Sequence, residues 1–315
     1  MKGLELAGQY FCLHGAPMIE QKFGAVQDRI AAGLVGEGSE CFGFDDSLSQ
    51  DHDWGPSFCL WLTKGDFDAF GEALRQEYEN LPKEFDGVSA RTVSAWGTGR
   101  VGVFEIGAFY RQFTGRDDLP ETCSQWRALA EANLAVCTNG RVFVDPLGEF
   151  TRIREGFLAF YPEDVRLKKI ASRCMTAAQA GQYNYYRCVR RGEYAAAQYA
   201  EAKFIGDVIS IVFLLNKRYR PFYKWMHRAL ADLPCLGEQL YGMINELVTM
   251  HERAKGEEVY WKKIDQIERI SRAIIGEFRD RGLSDSESIF LLDHGPEIVR
   301  RIQDPELRRM NVWVE

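Results

Sequence analysis

Asp51 and Asp53 flank His52, a short loop downstream of a Gly38-Ser39 pair, with Gly43 between. If these three residues are extended, their side chains alternate in direction, so both carboxylates share one face and His52 takes the other. Two like charges held that close repel by about 1 kcal/mol at 4 Å in water, and by more where it is drier. A bridging cation relieves the repulsion, and ligands that are all oxygen suit Mg²⁺.

The elements that must position this stretch can be read on either side of it. Ala31 to Val35 is a short apolar run into Gly36, read as a strand, and Phe58 to Leu62 is a second. Phe23, Val26 and Ile30 recur at helical spacing within a mostly helical stretch, residues 4–32, broken around Gly15-Ala16-Pro17. A helix follows the second strand with Asp66 as its expected N-cap, carried on by Phe67, Phe70, Leu74 and Tyr78. Val101 to Ile106 and Arg141 to Asp145 read as further strands, with helices over Phe109 to Phe113 and Cys123 to Val136. From Pro162 onward helical patterns dominate, expected over 163–191, 194–217, 221–231, 236–254, 257–281 and 286–302. The fold class this implies is α+β: a small mixed sheet in residues 1–155, then an α-helical domain in 156–315.

Composition narrows the function. The 315 residues carry a net charge of −7, which argues against broad nucleic-acid binding, since that needs an excess of Lys and Arg. Eight cysteines are scattered without a C-x-x-C pair, the usage of a reducing compartment rather than of a disulfide framework or zinc site. Residues 1–8 lack the long apolar segment of a signal peptide. Ile205 to Leu215 contains Asp207 and is too short to span a bilayer. A cytoplasmic protein with no membrane contact is expected.

Gly38-Ser39, Gly43 and the Asp51-x-Asp53 pair together resemble the nucleotidyltransferase superfamily, which includes DNA polymerase β and the kanamycin-type antibiotic nucleotidyltransferases. Its pattern is a Gly-Ser turn, a short loop, Asp-x-Asp on a strand, and a third carboxylate on a neighbouring strand. The wider run from Gly33 to Asp46, with Asp51-His52-Asp53-Trp54-Gly55-Pro56, is similar to a bacterial branch of that superfamily, the DUF4037 domain proteins. The resemblance implies Mg²⁺-dependent transfer of a nucleoside monophosphate from an NTP, with ATP as the leading candidate, to a hydroxyl or similar group of a small molecule, releasing pyrophosphate. Transfer to a protein or tRNA acceptor, or a nucleotide-binding member without catalysis, are the alternatives.

The physical chemistry of that reaction agrees with the residues. In-line transfer is mostly positioning and charge neutralisation. A two-metal site polarises the α-phosphate and steadies the leaving group. The resemblance makes Asp51 and Asp53 metal ligands. Glu105 is chosen as the third ligand or the base, because a lone charge in Val103-Phe104-Glu105-Ile106 is costly unless it is paired, metal-bound or facing water. Gly38 and Gly43 would let the backbone approach phosphates, and the Ser39 hydroxyl could bond them. Lys224, in a run of four cations and four aromatics from Lys217 to Trp225, is the nucleotide-binding residue that the resemblance to the antibiotic nucleotidyltransferases implies; the run also reads as a basic helix C-terminus followed by a new start at Pro221.

Several features depart from the superfamily pattern. His52 stands where an apolar residue is usual, and is expected to pack on the opposite face of the strand. Trp54-Gly55-Pro56 follows the Asp pair, and Pro56 removes a ladder donor, so a bulge or bend is expected there. Asp45 and Asp46 are either solvated turn residues or groups that orient the phosphate loop. Gly97-Thr98-Gly99-Arg100-Val101-Gly102 matches G-x-G-x-x-G but leads into a strand-like run, so it is read as a turn and not as a dinucleotide fingerprint.

Overall fold

The computed structural model describes residues 1–50, 52–89, 91, 99–253 and 258–315, with residues 251–253 described by backbone alone. Along the chain come α1 (Gly3–Tyr10), a π-helical turn (Phe11–Gly15), α2 (Ala16–Phe23), β1 (Ala31–Leu34), β2 (Cys59–Leu62), α3 (Lys64–Glu79), β3 (Glu84–Phe85), β4 (Val88–Ser89), β5 (Gly102–Glu105) and α4 (Ile106–Thr114). Then follow α5 (Cys123–Arg127), α6 (Glu131–Thr138), β6 (Arg141–Val144), α7 (Glu149–Leu158), α8 (Glu163–Ala177), a second π-helical stretch (Ala178–Tyr185), α9 (Tyr186–Arg190) and α10 (Tyr194–Leu215). The last elements are α11 (Tyr223–Leu230), α12 (Gly237–Arg253), α13 (Glu258–Asp280), α14 (Leu291–Val299) and α15 (Pro305–Arg309). The class is α+β, as the sequence implies, and the elements fall into two compact units: residues 1–120 with 133–159, and residues 121–132 with 160–315.

The first unit is built on a mixed sheet of order β5-β2-β1-β6, in which β1 is antiparallel to β2 and β6, and β5 is parallel to β2. All four residues of β2 are buried, as expected for a strand covered on both faces. On one face Phe58, Leu60 and Leu62 join Tyr10, Phe11, Ile19 and Leu74 in the core under α1, α2 and α3. On the other, Trp61 stacks on Phe150 with ring centroids 3.8 Å apart and meets Phe109 edge-on, two of the arrangements aromatic rings prefer. Gly33 must be glycine here: a Cβ would lie 2.5 Å from the Arg141 carbonyl oxygen and 2.9 Å from the Trp61 ring. The β3–β4 hairpin is separate from this sheet.

Two local expectations differ from what forms, and a third is met. The chain does not break at Gly15-Ala16-Pro17; a π-helical turn carries α1 into α2, and Pro17 sits in the first turn of α2, where its missing N–H is harmless. The cap of α3 is Thr63, not Asp66. The Thr63 hydroxyl accepts from the Asp66 N–H at 3.3 Å and donates to the Asp66 carboxylate at 2.7 Å, so the two side chains satisfy the helix start together. The bend expected after the Asp pair is present: β2 starts only at Cys59 and residues 52–56 bend. Gly55 at φ 144° and Pro56, which has no N–H to give a ladder, account for the delay.

The second unit is helical. α10 and α14 pack on α8, and α5 joins them rather than the sheet that precedes it in the chain. The Trp126 ring lies edge-on to Tyr161, and the Tyr161 hydroxyl donates to the Leu129 carbonyl at 3.1 Å. That anchorage breaks the single helix expected over 123–136 into α5 and α6, and returns residues 121–132 to the helical unit. The helix expected from 286 begins only at Leu291, because Ser284, Ser286 and Ser288 each accept a backbone N–H two residues on and hold a chain of turns. No described helix is long and apolar enough to cross a membrane.

His294, fully buried on α14, bridges Ser284 (2.8 Å) and the Ser288 carbonyl (2.9 Å). Burial, and to a lesser degree the Arg279 charge, hold its pKa below the usual value, against the opposing pull of the Ser288 carbonyl. A depressed imidazole favours the fold while neutral, so its contribution is complete above about pH 6.5 and is lost as pH falls through the lower folded value. His294→Gln is therefore expected to flatten the fall in melting temperature between pH 7.5 and 5.5. An unchanged fall would remove His294 as its cause.

Candidate active site

The stretch after β1 is a tight turn locked from several sides. Gly36, at φ 150°, donates its N–H to the Asn139 side-chain oxygen at 3.1 Å and accepts from the Asn139 amide at 2.6 Å. A 3₁₀ turn then runs over Glu40–Phe42, with Ser39 before it; the Ser39 hydroxyl does not cap that turn. Gly43 closes it at φ 72°, the left-handed region where glycine costs least.

Glu40 is the buried pivot of this turn. Its carboxylate lies 3.3 Å from the Arg91 guanidinium, which also reaches Ser57 at 3.3 Å. Burial pushes the Glu40 carboxyl up, Arg91 opposes that, and Asp45 adds to it. The carboxylate sits directly against Gly38: a Cβ there would meet it at 2.3 Å. Gly38 is thus required by its own neighbour, independently of any ligand. Gly38→Ala is expected to cost about 1–3 kcal/mol by overpacking. A melting curve checks this, since an unshifted midpoint would mean that Glu40 moves aside freely.

Asp53 adopts φ 52° and is 5 % exposed. Asp tolerates the left-handed region better than most residues, at a cost of about 1–2 kcal/mol. Arg100, just before β5, reaches Asp53 at 3.3 Å with one nitrogen and Glu37 at 3.5 Å with another. One arginine therefore ties the Gly36–Ser39 turn to the buried aspartate. Arg91 and Arg100 are the residues holding this turn that sequence reading missed. Both ion pairs span more than forty-five positions of the chain; Arg91 belongs to no motif, and Arg100 fills an unspecified position of the G-x-G-x-x-G match.

The other expected residues are placed as follows. Asp51 lies outside the described residues, as do Gly97 and Thr98. Glu105 is corrected: it is the N-cap of α4, a role in which a side-chain oxygen satisfies the free N–H groups of the first turn. It accepts from the Gly107 N–H at 2.8 Å and from the Ala108 N–H at 2.6 Å. It ends β5, at the far end of that strand from Arg100. Both its oxygens serve the helix, and the structure does not bring it to Asp53. His52 is exposed on the bend rather than packed behind a strand. Asp45 is neither solvated nor part of a phosphate grip. It is buried, accepts from the Gly3 N–H at 2.8 Å and the Trp54 indole at 3.2 Å, and so anchors α1. Asp46 is exposed and caps the next turn through the Leu48 N–H. Lys224 belongs to the helical unit, exposed in the first turn of α11 with its ammonium 5.0 Å from the Trp225 ring.

Among the described residues no group of three or more His, Cys, Asp or Glu side chains could hold a metal ion. Asp53 is the one expected ligand that is placed with a carboxylate near the turn. The thiols nearby are not nucleophiles: burial drives Cys41 well above its usual pKa and Cys59 up to about 12, and a thiol must ionise to attack.

Comparison with known proteins gives two findings. Residues 126–226 match the family model of a domain of unknown function, DUF4037. This is the family that the run from Gly33 to Pro56 resembles, but the matched segment lies downstream of that run and spans residues of both units. A nucleotidyltransferase-like protein from Exiguobacterium sibiricum, whose crystal structure is known, overlaps 90% of this chain and 88% of its own at 10% identity, with a TM-score of 0.36. An overlap that loose does not fix a shared fold. No curated protein matches the chain.

Proposed function

We propose that the chain is a nucleotidyltransferase that moves a nucleoside monophosphate from an NTP to a small-molecule acceptor, releasing pyrophosphate. The observation that supports this best is the Arg100 tie between a glycine-serine turn and a buried, left-handed aspartate. A phosphate grip beside a fixed carboxylate is the minimum that in-line transfer requires. In this reading the Gly38-Ser39 turn and the Ser39 hydroxyl take the outer phosphates, and the two arginines offset their charge. Asp51 and Asp53 are the residues that would hold Mg²⁺, and the ion would supply charge neutralisation at the α-phosphate. Glu105 has no part in it, and Lys224 is kept as a nucleotide contact of the helical unit. Incubation with each NTP, Mg²⁺ and pools of small metabolites should release pyrophosphate, and calorimetry should detect NTP binding.

The Asp53–Arg100 pair also supports a second reading, in which the carboxylate is permanently neutralised and the chain binds nucleotides without turning them over. The same two measurements separate the readings. NTP binding without pyrophosphate release favours the second, and absence of both removes the two together.

A further inference from the structure

The helical unit holds a cavity of about 380 Å³, lined by Arg127, Glu131, Lys169, Arg173, Arg220 and Glu315 among its charged residues. Four cations there face two carboxylates. Glu131 is buried and belongs to the wall: it accepts from the Ser210 hydroxyl at 2.8 Å, with Arg220 at 3.4 Å and Arg173 at 3.7 Å. Glu315 is different. It arrives on the stretch that follows α15, and its carboxylate is gripped from two sides, by Lys169 at 3.0 Å and Arg173 at 2.6 Å, while Arg127 holds its backbone carbonyl. Lys169 is 2 % exposed, while the Arg173 and Glu315 side chains are 20 % and 28 % exposed, so the grip has a buried side and a partly exposed side.

The stretch lies strapped along α8. Lys168 donates to the Asn311 carbonyl at 2.7 Å, and the Ser172 hydroxyl donates to the Trp313 carbonyl at 3.0 Å. Even so the charge is not consumed. The Nε donors of Arg127 and Arg173 are buried without a hydrogen-bond partner among the described residues, and without the Glu315 carboxylate the four cations would face only Glu131 and, from outside the lining, Asp207, which lies 3.3 Å from Arg173. An unpaired buried guanidinium donor is costly, so a ligand that satisfies it is favoured. Every charged lining residue except Glu315 falls within 126–226, the segment matched by the family model.

We propose that this cavity is a binding site for a small anion carrying at least two negative charges, a carboxylate or phosphate compound, and that Glu315 occupies it as an intramolecular competitor. The Glu315 carboxylate stands in for one oxyanion group of the ligand, between Lys169 and Arg173. Arg127, now on the Glu315 backbone carbonyl, and Arg220, now paired with Glu131, are the remaining cations for the second. Burial would raise the Glu315 carboxyl, yet Lys169 and Arg173 hold it below the usual range, so the competitor is charged at neutral pH.

The test is calorimetric titration of the full chain with inorganic phosphate and, separately, with malonate. Glu315→Ala is expected to bind one of these at least tenfold more tightly than the natural sequence, because an internal competitor has been removed. Adding Arg173→Met to Glu315→Ala should abolish that binding, and Lys169→Met offers a second such variant if the first melts early. Preference for phosphate or for malonate identifies the source of the ligand. Equal affinity in the natural sequence and Glu315→Ala, or no binding to a folded Glu315→Ala, overturns the proposal and leaves Glu315 as a purely structural clamp.

Discussion

Asp53→Asn is expected to reduce pyrophosphate release by a factor on the order of 10² or more, with little change in melting temperature. The substitution is close to isosteric, and the backbone at this position is left-handed, with φ 52°. Asn adopts that region as readily as Asp does. It retains an oxygen for Arg100, so the link to the Gly36–Ser39 turn survives in weakened form. What it removes is the charge. If Asp53 neutralises a metal or organises the α-phosphate, that charge acts in the transition state and its loss appears in kcat. If Asp53 serves only to hold Arg100, release should be nearly unchanged and the melting point should fall. A variant that keeps its rate would remove Asp53 from the catalytic machinery.

Trp61→Ala is expected to destabilise the first unit by about 3–5 kcal/mol, a drop in melting temperature of roughly 6–20 °C. Trp61 is fully buried between Phe150 and Phe109, and β2 is held by its neighbours on both sides, so the hole has little means of collapsing. Trp61→Phe separates volume from polarity. The Trp61 indole N–H is buried without a hydrogen-bond partner among the described residues. Phenylalanine removes that orphan donor, worth roughly 1–3 kcal/mol, while keeping a ring to stack on Phe150. Its midpoint should therefore lie much nearer to the natural sequence than that of the alanine variant. Equal losses for both would mean that the indole makes a contact the ring stack does not explain.

The sheet strands were legible because each is a short apolar run bounded by glycine, aspartate or a turn, and the long helices because their apolar spacing persists over many turns. What was not legible depended on partners far along the chain. Asp53 read as strand from its alternation with Asp51, yet Gly55 and Pro56 set its conformation from the other side. Glu105 read as a costly charge inside an apolar strand. It is in fact the last residue of that strand and the first cap of a helix, and the sequence Glu105-Ile106-Gly107 does not carry the usual Ser, Thr, Asp or Asn signal. Gly38 read as room for a phosphate, and that the Glu40 carboxylate also lies against it was not legible, because burial of an acid two residues on leaves no mark in the sequence. The pairings of Arg91 and Arg100 were not legible, since an ion pair closing a long loop leaves no local trace.

The return of residues 121–132 to the helical unit bears on how the chain can be made and cut. Neither unit is a continuous piece of chain, since the path passes from one to the other three times. During synthesis the sheet acquires its edge strand β6 only after the α5 segment has emerged, and Trp126 must wait for Tyr161 to cover it. Both closures are non-local, which slows folding relative to a chain of two successive domains. A fragment ending at residue 155 would carry Trp126 exposed, and its complement would begin without Arg127 and Glu131, two walls of the anion cavity. Split expression, circular permutation and limited proteolysis should accordingly treat the chain as one cooperative length rather than as two separable modules.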